Sequence, residues 1–139
     1  MQTTTALAGE APEAVISADD IVRFQRLVRK VPMPEAVARY AVRLARRTRP
    51  DRDDAPDYVK QYVAYGASVR AAQYLVLGGK SRALMRGEVT VSFDDIRALA
   101  SPVFRHRILT NFHAESERVT TDELIEKLLD DVTPPASGM

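Results

Sequence analysis

Three short polar spacings punctuate this chain, and each stands directly before a run of apolar residues with helical period. Ser17 with Asp20, Ser92 with Asp95, and Thr120 with Glu123 are S/T-x-x-D/E pairs. In such a pair the hydroxyl accepts from the third backbone amide of a helix, and the acid at that position accepts from the capping residue's own amide. Behind them come Ile21, Phe24, Val28 and Val31, then Phe93, Ile96 and Leu99, then Leu124, Ile125, Leu128 and Leu129. Spacings of three and four put each set on one helical face, whereas a strand would alternate. A chain with three such starts is committed to helices. The stripes of the first and last of these helices are expected to be core.

The remaining signals are also helical. "VPMPE" breaks the chain, and Pro34 suits the first turn of a second helix whose inner stripe is Val37, Ala41, Leu44 and Thr48. "TRPDRDDAPD" reads as a polar loop. A short helix is expected around Tyr58 to Ala64, ended by Gly66, and a long one from about Val69 to Arg86, closed by Gly87. "VTV" at 89–91 reads as a scrap of strand. "VFRHRILTNFHAESERV" after Pro102 reads as part helix and part extended. The fold class is therefore all-α, a bundle of about five to six helices with a short extended segment near the C-terminus. Residues 1–15 are expected to be a linker, 16–132 the domain, and 133–139 a tail.

Composition narrows the function. The 139 residues are 45% hydrophobic and 28% charged with a net charge of +1, so no global field draws the chain to nucleic acid or an anionic membrane. No apolar run approaches a membrane span, and no secretory leader is visible. The absence of cysteine excludes disulfides and thiolate metal sites and suits a cytoplasmic protein.

Two stretches look like phosphate signatures. "GGKS" at 78–81 resembles the tail of a P-loop, but that motif needs glycine where Tyr74 stands, and it should follow a strand. Ala72, Val76, Gly79 and Ala83 instead share one helical face, which points to close helix packing. "GASVRA" at 66–71 is the better candidate. Gly66 allows a sharp turn, Ser68 is a good N-cap, and Arg70 then falls at the second helical position. A cation there opposes the helix dipole. Its side chain leans toward the N-terminus, where free amides welcome an anion. On these grounds alone, an ordinary solvated arginine is the favoured explanation of Arg70.

"YAVRLARRTR" from Tyr40, "YGASVRA" from Tyr65 and "KSRALMRGEVTVSFDDIRALASPVFRHRI" from Lys80 together resemble the C-terminal lid of MoxR-type AAA+ ATPases, a likeness running from Ile16 to Leu129. It implies a helical lid that folds over ATP and its magnesium, both held mainly by a separate P-loop core. The arginine of the family's G-A-S-P-R-A motif is the second sensor, reaching the terminal phosphate. It maps onto Arg70, with Gly66 and Ser68 beside it. Val69 replaces the family's proline, which would pre-set the first helical turn. No P-loop or magnesium-binding acidic strand is visible in the chain, so hydrolysis is not expected of it alone. The resemblance further implies ring assembly with neighbouring subunits, chaperone-like remodelling, and partners with von Willebrand factor A domains.

Other residues carry weaker readings. Arg39, Arg43, Arg46, Arg47, Arg49 and Arg52 cluster on and after the second helix, as a nucleic-acid strip, a subunit contact or a solvated face. His106 and His113 lack partners at metal-ligand spacing and suit hydrogen bonding or subunit contact. Two rival functions remain. A free-standing helical adaptor would be complete as it stands, whereas a lid would have a neighbour before Ile16. A small DNA-binding domain would bind duplex with a steep salt dependence.

Overall fold

A computed structural model describes residues 13–135. Most of the expected linker and tail, residues 1–12 and 136–139, lies outside them. Seven helices and two short strands follow in order: α1 (Ala18–Lys30), α2 (Glu35–Arg47), α3 (Asp57–Tyr62), β1 (Val63–Tyr65), α4 (Val69–Met85), α5 (Phe93–Phe104), β2 (Leu109–Thr110), α6 (Phe112–Ser116) and α7 (Thr121–Asp131). Among the described residues no helix is long and apolar enough to cross a membrane.

All three capping boxes form, with both reciprocal hydrogen bonds present at Ser17, Ser92 and Thr120. α2 starts one residue after Pro34 and buries Val37, Tyr40, Ala41, Leu44 and Ala45, with Thr48 continuing the stripe. α4 is the central element, packed against α5, α2 and α1. Its C-terminus closes as a Schellman motif: Gly87 takes φ +73°, its amide donates to Leu84, and the Glu88 amide reaches Ala83 at 3.0 Å. α7 lays Leu124, Ile125 and Leu128 against α5 and α2. Arg97 of α5 ties this layer together, donating to the Leu129 carbonyl at 2.7 Å and to the Tyr40 hydroxyl at 3.2 Å.

The glycine pair behaves as its spacing predicts. A Cβ at Gly79 would stand 3.0 Å from both Ile96 and Val91, and one at Gly78 would stand 2.9 Å from Leu99. "GGKS" is thus the seat of α5 on α4. The stretch after Pro102 is part helix and part extended, as expected. α5 runs through the proline but ends two residues beyond it, and β2 then pairs antiparallel with β1, Val63 opposite Thr110 and Tyr65 opposite Leu109.

Three local expectations fail. The short helix expected to run to Ala64 stops at Tyr62, and Val63–Tyr65 form β1 in its place. "VTV" forms no strand; Val91 is instead a core side chain in the connection to α5. The α1 stripe is core only at its end: Val31, just past the helix, is buried, but the helix itself has no buried residue and Ile21 and Phe24 are about half exposed. Its apolar face only partly meets α4.

Candidate functional site at the start of the central helix

The backbone entering α4 is clamped to the end of α2. The buried Thr48 hydroxyl donates to the Ala45 carbonyl at 2.7 Å and accepts from the Ala67 amide at 2.8 Å. Arg49 Nε donates to the Ala67 carbonyl at 2.9 Å. Gly66 completes the clamp by close approach: a Cβ there would lie 2.3 Å from the Thr48 carbonyl oxygen. Its φ is not in the left-handed region, so the glycine is required for contact with α2 and not for the sharp turn anticipated above.

Ser68 is the N-cap residue of α4, with extended backbone, but its hydroxyl makes no capping hydrogen bond. The first turn of α4 has no acidic residue either. Among the described residues the amides of Val69 and Arg70 find no acceptor. Arg70 itself is exposed and makes no ion pair there. Free amides, an uncapped N-terminus and a free guanidinium therefore coincide.

Val69 and Arg70 also line an open groove of about 700 Å³ between α1, α2 and α4. Its charged lining is Arg29, Arg70 and Lys80, with no carboxylate, and its apolar lining includes Val42, Val69, Tyr74 and Leu77. Lys80 donates to the Arg29 carbonyl about 15 Å along α4 from Arg70, so it is Arg70, beside the free amides, that suits an anion at the α4 N-terminus.

Val69 is 65% exposed, so the family's proline could be restored without a clash. Its amide has no acceptor to lose, and Ser68 at φ −79°, ψ 172° already has the conformation that a residue before proline prefers. Val69→Pro should therefore stabilise the domain by about 0.5–1 kcal/mol through the unfolded chain. Chemical denaturation measures this, and a loss of stability would show that the amide has a partner.

Apart from Arg49, the other residues named from the sequence lie away from this end. Arg39 pairs with Glu35, Arg46 lies 3.3 Å from Asp54, and Arg43 reaches the Thr133 carbonyl. The arginine strip of α2 is thus largely tied to its own neighbourhood. His106 touches the Arg107 guanidinium, and His113 lies exposed on α6. Two groups were not anticipated: Arg49 in the clamp, and Tyr74, whose position one turn after Arg70 was an available signal.

Residues 56–128 match the model of the AAA lid domain, and the chain belongs to that family. Among its relatives is chaperone MoxR1 of Mycobacterium tuberculosis, 29% identical over 121 residues, covering 87% of this chain and 32% of the relative. A crystal structure of a protein assigned as an ATPase, from Cytophaga hutchinsonii, superposes with a TM-score of 0.78 at 30% identity, over 83% of this chain and 35% of that one. The chain thus spans about a third of either relative.

Proposed function

We propose that this domain is a nucleotide-sensing lid, residues 16–132, that closes over ATP held by a P-loop core. Arg70 would meet the terminal phosphate, with Gly66 holding the entry to α4 against α2 and Ser68 beginning the helix that presents it. The observation carrying this reading is an exposed arginine without an ion pair among the described residues, at an uncapped helix N-terminus whose backbone is clamped to α2. ATP and magnesium, held mainly by the core, supply the phosphoryl chemistry. Arg70 contributes positive charge where negative charge develops, so it acts on turnover more than on folding. Ring neighbours and von Willebrand factor A domain partners follow from the family resemblance alone, while chaperone-like remodelling also agrees with the chaperone name of the MoxR1 relative.

The test is Arg70→Ala in a protein that joins this lid to its core. ATP turnover should fall about tenfold or more, a modest loss beside those seen for single transition-state donors. The unfolding midpoint should stay within a degree or so, as for an exposed substitution. Unchanged turnover would remove the sensor assignment and bring the adaptor forward.

A further inference from the structure

Many arginines of this domain are neutralised. Arg23 pairs with Asp20, Arg39 with Glu35, Arg46 with Asp54, Arg82 and Arg86 with Asp95, and Arg105 with Asp122. Arg107, in the turn between α5 and β2, is held differently. Its guanidinium carbon lies 4.9 Å from the centroid of the Tyr74 ring, and one terminal nitrogen donates to the Val103 carbonyl at 2.6 Å. The only other polar contact is the ring of His106. No carboxylate lies in ion-pair range among the described residues. An aromatic face and a carbonyl fix a guanidinium in place but leave its charge uncompensated.

Tyr74 is the residue that connects this charge to the groove. It stands one turn after Arg70 on the same face of α4, roughly 6 Å away between Cβ atoms, and both residues line the groove. Helical side chains lean toward the N-terminus, so the Tyr74 ring covers the turn from which Arg70 departs. A cation laid on that ring adds to the positive end of the α4 dipole.

We propose that Arg107 is a second cation for the phosphate end of this lid, a positioning residue held on Tyr74 that strengthens binding of the polyphosphate of a nucleoside triphosphate. The proposal rests on the reading of Arg70 as the phosphate sensor. Arg107 acts through its field and Tyr74 through holding it there. Charge is the working property, which separates this role from packing.

The experiment uses the core-joined protein and a fluorescent ATP analogue, with dissociation constants measured at low and high salt for Arg107→Gln, Arg107→Lys and Tyr74→Leu. Arg107→Gln should weaken binding about fivefold at low salt and less at high salt, because a charge that is only partly buried is still screened. Arg107→Lys should retain most of the affinity, Tyr74→Leu should lose part of it, and the unfolding midpoints should stay near that of the unaltered protein. Unchanged affinity in Arg107→Gln overturns the proposal. So does equal weakening by Arg107→Gln and Arg107→Lys with lowered midpoints, which is the signature of packing. Arg70→Ala is measured in parallel. If it lowers turnover while Arg107→Gln binds normally, the sensor reading stands and the second cation falls. If Arg70→Ala turns over normally, the sensor reading falls and takes the second cation with it.

Discussion

Gly66→Ala should destabilise this domain by about 3 kcal/mol or more, at or beyond the upper end of overpacking costs. The added methyl would enter a space where the nearest atoms are the Thr48 carbonyl oxygen at 2.3 Å, the Thr48 carbonyl carbon at 2.6 Å and the Arg49 Cα at 2.7 Å. All three are backbone, so no rotamer change relieves the overlap. Either the end of α2 or the start of α4 must move. Movement there loosens the bonds from Thr48 and Arg49 to Ala67 and displaces Arg70. The substitution should therefore lower the urea midpoint of the isolated domain and, in a core-joined protein, reduce turnover beyond what its stability predicts. Near-normal stability would mean that the two segments do not approach so closely. By contrast, a Cβ at Gly87 meets no atom within 4 Å, so alanine there pays only for its left-handed backbone.

Asp95→Ala should cost about 3 kcal/mol. The carboxylate is fully buried, and one of its oxygens, Oδ2, accepts from the Ser92 amide at 2.9 Å, the Ser92 hydroxyl at 2.8 Å and Arg86 at 3.1 Å. Arg82 Nε lies 3.3 Å from Oδ1. Alanine removes the acid's half of the capping box and both arginine contacts at once, while the Ser92 hydroxyl can still accept from the amide of residue 95. The loss stays at the lower end for a broken buried pair, because Arg82 and Arg86 are about half exposed and can turn to water. Asp95→Asn, which keeps an acceptor for Ser92 but not the charge, should lose roughly half as much. A thermal or urea titration of the two variants checks the order. Equal stability of Asp95→Ala and the unaltered protein would show that neither the arginines nor the acid's half of the capping box contributes.

Helix starts were legible because a capping box is a local event, readable over four residues. Gly87 and the packing role of Gly79 were legible for the same reason, since each follows from spacing along one helix. Contacts between distant segments were not. Asp95 announced itself as a cap, but nothing within its own motif shows Arg82 and Arg86 turning toward it from the previous helix. The pairing of Val63 with Thr110 joins residues far apart in the chain, and each strand is too short to leave an alternating pattern. The α1 stripe misled, because an amphipathic face looks the same whether its cover lies within the chain or outside it. At the candidate site, Gly66, Ser68 and Arg70 were nominated from the motif. Thr48 was read correctly as a buried residue, yet its hydroxyl's bond to Ala67 could only be seen in three dimensions.

Two adjacent glycines in the middle of a helix ordinarily invite bending. In α4 that freedom is removed, since Leu99 fills the space beside Gly78, and Ile96 and Val91 fill the space beside Gly79. Both ends are also fastened, at Thr48 and Ala67 on one side and at Asp95 on the other. The 17 residues of α4 then form a stiff lever arm about 25 Å long. A tilt of roughly 5° imposed where Arg70 sits would carry the opposite tip, and α5 with it, by about 2 Å, a displacement within the range of helix shifts that repack interfaces.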